Sequence, residues 1–124
     1  MFNFEKLETW QKAIDFADLV YSTTRAFPDD ERFGLTSQMR RAAVSISSNI
    51  AEGTSRFSHD DYARFLEIAT GSSFELETQL VLIQNLQMLP RESFNELFEL
   101  ISKEQKMLNS LISKLKESKR ITKS

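Results

Sequence analysis

Only a few side chains bound the chemistry open to this chain. Among 124 residues there is no cysteine and one histidine, His59, in the run His59-Asp60-Asp61. Without cysteine there is no thiolate nucleophile, disulfide framework or Cys-ligated metal. A Ser or Thr nucleophile needs a base beside it, and the only imidazole sits at a helix start, where a solvated first-turn role is expected. A di-iron bundle asks for Glu-x-x-His twice, which a single histidine cannot supply. Gly34, Gly53 and Gly71 are isolated, so no Gly-rich loop is present to cradle phosphate. Glu52, Glu75 and Glu77 are expected to pair with Arg40, Arg41 or Arg64 as structural ion pairs. The inventory predicts a non-enzymatic protein with no cofactor, no metal and no small-molecule substrate.

Charge is the remaining chemistry, and it is unevenly spread. The formal net charge is −2. Residues 1–31 carry −4, residues 32–64 +2, residues 65–102 −5 and residues 103–124 +5. Lys103, Lys106, Lys114, Lys116, Lys119, Arg120 and Lys123 make the last block basic. Arg40 and Arg41 are adjacent within the second. Cations gathered this way can neutralise phosphates, each releasing counterions and adding to a salt-sensitive affinity. These nine residues are therefore the candidate contacts to a nucleic acid or another partner, Arg40 and Arg41 first. The same bases at a helix carboxyl terminus also oppose its dipole, and a pI near 5.5 is not that of a strongly basic domain. No aromatics are interleaved with the tail lysines as a stacking platform.

These residues must be held by helices. Three glycines and two prolines are too few for a turn-rich β fold. Pro28 and Pro90, with the stretch from Gly53 to Ser58, divide the chain into four. Within each part the apolar residues recur every three or four positions. The stripes run Leu7, Trp10, Ile14, Ala17, Tyr21, Thr24 and Phe27; Leu35, Met39, Ala42, Ala43, Ile46, Ile50 and Gly53; Tyr62, Phe65, Leu66, Ala69, Ser73, Leu76, Leu80 and Ile83; and Phe94, Leu97, Phe98, Ile101, Leu108, Ile112 and Leu115. The spacing predicts helices over about 5–27, 35–54, 59–88 and 91–117, one domain over 1–118, and a short basic tail at 119–124. Ser58, three residues before Asp61, is placed to cap the third helix. Gly53 reads as a helix stop and Gly71 as a close-packing position. Short connections favour antiparallel neighbours, so the expected fold is all-α, an antiparallel up-down-up-down four-helix bundle.

Two surfaces exceed what one such bundle needs. The third helix is apolar beyond its core stripe, with Phe74 and Val81 on one flank and Ile68, Leu82 and Leu86 on the other. Exposed together they would form a large apolar surface for a small monomer. The second helix carries small polar residues, Ser45 and Ser48 with Glu52, opposite its core stripe. These eight residues are the candidate subunit interface. No window nears the roughly 18 apolar residues of a membrane span, and the amino terminus lacks the pattern of an export signal. A cytoplasmic protein, not bound to membranes, is expected.

The run from Phe33-Gly34-Leu35-Thr36-Ser37-Gln38-Met39-Arg40-Arg41 through Ala42-Ala43-Val44-Ser45-Ile46-Ser47-Ser48-Asn49-Ile50-Ala51-Glu52-Gly53 resembles the signature of the bacterial four helix bundle family, the 23S rRNA-intervening sequence proteins. The likeness extends through Trp10-Gln11-Lys12-Ala13, Val20-Tyr21 and Phe27-Pro28. It continues in Arg64-Phe65-Leu66, Ile68-Ala69, Gly71-Ser72 and Glu75-Leu76-Glu77-Thr78-Gln79-Leu80, and ends near Lys106-Met107-Leu108. Two positions depart from it. Ser47 stands where members often carry Pro, which should remove a kink and restore a backbone donor. Met39 replaces a usual Leu at similar volume. The resemblance implies antiparallel bundles assembled into homopentameric rings, and no enzymatic activity. Some members are encoded within intervening sequences of ribosomal RNA genes. The similar accessory variability protein of diversity-generating retroelements works with a reverse transcriptase and binds nucleic acid. The expectation is a homopentameric assembly module whose partner is RNA or a reverse-transcriptase-like protein. The alternative is a pure protein-interaction scaffold.

Overall fold

The structure, a computed structural model, describes residues 3–123, with side chains described through residue 118. It contains four helices: α1 (Glu8–Thr24), α2 (Leu35–Thr54), α3 (His59–Asn85) and α4 (Arg91–Lys123). Two 3₁₀ turns, Phe4–Lys6 and Asp29–Glu31, precede α1 and α2. No strand occurs among the described residues, so the fold is an all-α four-helix bundle. α1 packs on α2 and α4, α2 on α3, and α3 on α4, while among the described residues the two diagonal pairs bring no Cα atoms within 8 Å of each other.

Cross-helix contacts give the directions. Gln105 on α4 donates to Glu77 on α3 at 2.9 Å, and Lys116 pairs with Glu67 at 3.3 Å. Moving forward on α4 thus moves backward on α3. On the other side of α3, Ser45 meets Ser72 at 2.8 Å and Gly53 abuts Tyr62 and Phe65, again antiparallel. Both are compatible with up-down-up-down order.

The α2 and α3 stripes go inward as their spacing predicts: Met39, Ala42, Ala43, Ile46 and Ile50 meet Leu66, Ala69, Leu76, Leu80 and Ile83 in one buried cluster. α2 is continuous through Ser47, whose hydroxyl donates to the Val44 carbonyl at 3.0 Å. α1 is rotated from the expected stripe. Ala13, Phe16, Ala17 and Val20 face the core, while Trp10 and Ile14 are only half-buried and Tyr21 is on the surface. Trp10 instead packs edge-on against Phe4, with ring centroids 5.3 Å apart.

Helix ends show where local chemistry overrides periodicity. α1 starts later than expected because Leu7 is extended between the 3₁₀ turn and the helix. It stops at Thr24 because Pro28 disfavours helical backbone before it. Ser58 caps α3 as expected, accepting from the Asp61 amide at 3.1 Å. α3 stops at Asn85, short of the expected 88, in a Schellman closure. The Met88 amide donates to the Ile83 carbonyl and the Gln87 amide to that of Gln84, both at 3.0 Å. Gln87 takes the left-handed position with φ 57°. α4 runs past the expected 117 to Lys123, so the backbone of the basic tail is helical through that residue.

Two glycines depart from their expected roles. Gly53 is not the helix stop, since α2 continues to Thr54. It is buried, and a Cβ there would lie 2.9 Å from Tyr62 Cδ1 and 3.1 Å from Phe65 Cβ. Gly71 is not a close-packing position: a Cβ there meets nothing within 4 Å. Gly53→Ala should therefore cost about 1–3 kcal/mol by overpacking, and Gly71→Ala should gain about 0.5–1 kcal/mol from helix propensity. Urea unfolding midpoints of the two variants should move in opposite directions.

Candidate functional site

The turn between α1 and α2 gathers arginines that lie apart in sequence. Arg25 follows the last turn of α1, Arg32 follows the 3₁₀ turn, and Arg40 and Arg41 occupy the second turn of α2. The Phe27 amide closes onto the Thr24 carbonyl at 3.1 Å, and Phe27 is buried against the core. That anchor, with Pro28 behind it, folds the connection back so that residues 32–41 lie beside the end of α1.

Between them is a depression of about 520 Å³ lined by Tyr21, Arg32, Phe33, Thr36, Ser37, Arg40, Arg41 and Val44. A second depression, lined by Arg25, Asp29, Arg32 and Arg40 among others, adjoins it. Three guanidinium groups and three hydroxyl-bearing side chains line the first, and no carboxylate does. The first turn of α2 contributes Thr36 and Ser37, and α2 has no side-chain cap, so the positive end of its dipole adds to the same field.

Arg40 is held in place. Its Nε donates to Thr24 Oγ1 at 2.9 Å and its Nη2 to the Tyr21 carbonyl at 3.4 Å. Its guanidinium carbon lies 4.7 Å from the centre of the Tyr21 ring. The Thr24 hydroxyl in turn donates to the Val20 carbonyl at 2.8 Å. Arg32 lies 5.5 Å from the centre of the Phe33 ring, and that ring is 88% exposed. Arg41 is exposed on α2.

Four other cations have acidic partners. Arg56 pairs with Glu52 at 3.1 Å, Arg64 with Asp61 at 3.6 Å, Lys103 with Glu99 at 3.2 Å and Lys116 with Glu67 at 3.3 Å. Among the described residues, Arg32, Arg40 and Arg41 have no ion pair. Arg40 and Arg41 thus come together with Arg25 and Arg32, which the sequence did not single out. Their signal was the Arg32-Phe33 pair beside Pro28 at a turn.

The described lysines of α4 are not brought into one patch. Lys103 and Lys106 line a groove against α1 with Glu8, Lys12, Leu100 and Met107. Lys116 turns to the α3 side, and Lys114 is exposed. The side chains of Lys119, Arg120 and Lys123 lie outside the described residues.

Three expected carboxylate partnerships are corrected. Glu52 pairs with Arg56, just past the end of its own helix, Glu77 accepts from Gln105, and Glu75 is exposed. The buried acid is one that the charge pattern does not reveal. Glu104 is 1% exposed, one turn from Ile101 and from Leu108 in the core stripe. Neither carboxyl oxygen has a hydrogen-bond partner, and burial pushes its pKa from 4.5 up to about 8. Periodicity could have found it, since the interval from Ile101 to Leu108 requires an inward residue near 104. His59 is exposed in the first turn of α3. No three His, Asp or Glu side chains gather as a metal site would require, among the described residues.

The candidate interface divides. Phe74 lies toward α4, lining a hollow with Ile112 and Lys116, and Val81 shares its flank by helical phase. Ile68, Leu82 and Leu86 lie on the opposite flank of α3, toward α2. All five are exposed. Ser48 and Glu52 are exposed on α2. Ser45 is partly buried, and its hydroxyl is bonded to Ser72 and Asn49 within the α2–α3 seam. No helix among the described residues is long and apolar enough to cross a membrane.

The family model described as 23S rRNA-intervening sequence protein matches residues 5–110. A solved structure from Bacteroides thetaiotaomicron, described as a protein with unknown function from the S23 ribosomal protein family, is similar at a TM-score of 0.76 and 25% identity. The match covers 84% of this chain and 97% of that one. No curated protein matches.

Proposed function

This chain belongs to the 23S rRNA-intervening sequence protein family, and from that premise we propose that it is a non-enzymatic, homo-oligomeric assembly module that contacts RNA through the arginine-lined depression between α1 and α2. One observation carries the RNA reading: three guanidinium groups line a hollow to which no carboxylate contributes, whereas Arg56, Arg64, Lys103 and Lys116 each face an acid. Guanidinium groups bind phosphate in a bidentate fork. Arg40, pre-positioned by Thr24 and Tyr21, gives up little freedom on binding.

Assembly is supported by the two apolar flanks of α3. Two different faces on one subunit suit head-to-tail contacts that close into a ring, and the family resemblance implies five copies. A ring repeats the depression on every subunit, so weak phosphate contacts sum. The partner is RNA, alone or in complex with a protein that handles it, and the site of action is the cytoplasm.

Light scattering and filter binding test both halves. The expected mass is about 72 kDa, five times 14.4 kDa, and RNA affinity should fall steeply with added salt. A mass of one subunit would remove the assembly reading. An oligomer that retains no RNA at low salt would leave the protein scaffold.

A further inference from the structure

Resting on that reading, we infer that the depression takes an unpaired nucleobase on the Phe33 ring, with Arg32, Arg40 and Arg41 on the flanking phosphates, so that its ligand is single-stranded RNA. Phe33 is an apolar ring left 88% exposed on the rim of a hollow lined by three guanidinium groups and no carboxylate. Its neighbour Tyr21 is already taken, since the Arg40 guanidinium covers that ring at 4.7 Å. The Arg32 guanidinium lies 5.5 Å from the centre of the Phe33 ring, and the 88% exposure leaves most of that ring open. An exposed aromatic beside guanidinium groups is the arrangement that binds unpaired bases, because every base has a π face and the cations follow the backbone.

Size and shape agree with this. A hollow of about 520 Å³ is in the range that accepts one small ligand, so it suits a nucleotide unit and not the width of an A-form helix. In a duplex the bases are stacked on one another and the ring would have no face to meet.

The test uses fluorescence anisotropy with two labelled RNAs of equal length at one salt concentration, an unstructured oligo(U) and a blunt duplex. Wild-type protein should prefer oligo(U). Phe33→Ala should weaken oligo(U) binding roughly tenfold to a hundredfold while changing duplex binding little. Phe33→Trp should restore it, which a merely structural role would not require. Equal binding of the two RNAs, with no effect of Phe33→Ala, would overturn the stacking inference while leaving the arginine contact standing. A lower oligomer mass in Phe33→Ala would also overturn it, because the ring would then be a subunit contact. Failure of both RNAs to bind would sink the reading under it as well.

Discussion

Replacing Glu104 with Gln should stabilise the protein by about 3 kcal/mol at pH 7 and by almost nothing at pH 4.5. Unfolded, this carboxyl ionises near 4.5, and burial raises it to about 8 in the fold. Between those values the native state keeps a proton that the unfolded chain has released, so native stability declines as pH rises through the window and levels off above about 8. Each pH unit is worth about 1.4 kcal/mol, which gives roughly 3 kcal/mol by pH 7. For a domain of this size that is on the order of 10 °C in Tm. Glu104→Gln cannot ionise, so its curve should lack this slope and meet the wild type at low pH. Glu104→Leu should be stabilised at every pH, because both carboxyl oxygens are buried without partners. Denaturant unfolding from pH 4.5 to 8.5, at fixed protein concentration, reads all three curves. Parallel curves would show that the carboxyl is solvated.

The second large effect concerns assembly. Leu82→Glu and Phe74→Glu place charge on opposite flanks of α3, at residues about half exposed, so helical content should be unchanged. If unlike faces join in a closed ring, either substitution alone breaks every interface, and the mass should fall from about 72 kDa toward 14.4 kDa. A self-complementary twofold contact would respond to one variant and ignore the other. Light scattering of each variant separates these outcomes.

Legibility in the sequence followed the physics of each element. α2 was readable in its bounds and rotation because a narrow apolar stripe between polar residues allows one rotation only, although Thr36 and Ser47 are buried beside that stripe. In α1 the stripe was ambiguous. Both Trp10-Ile14-Tyr21 and Ala13-Phe16-Val20 are apolar series on adjoining sides of the same helix, and only packing on α2 and α4 chose the second. Glu104 was hidden because its residue type, a charged one, outweighed its position, although the period places it inward between Ile101 and Leu108. Gly53 and Gly71 were ambiguous for a related reason: a glycine declares that it lacks a side chain, not which neighbour makes use of that.

The candidate site was half legible. Arg40 and Arg41 stand out as adjacent bases in a stretch of small residues. Arg25, Arg32, Phe33 and Tyr21 join them only through the Pro28 turn, which no periodicity describes. Lys103, Lys106 and Lys116 looked like part of one basic block because they are close in sequence. On a helix, residues 103, 106 and 116 point different ways, and the structure turns them toward α1 and α3.

The most direct test of the central claim is the salt dependence of RNA affinity in the Arg32→Glu plus Arg41→Glu variant beside the wild type. Neither residue has an ion pair among the described residues, and Arg40, which Thr24 and Tyr21 tie into the fold, is left intact. The log–log slope of affinity against salt should become shallower by about 0.7 for each single-strand phosphate that is no longer neutralised, with affinity at least tenfold weaker at low salt and the oligomer mass unchanged. Affinity and slope equal to those of the wild type would contradict the assignment of RNA binding to the α1–α2 depression.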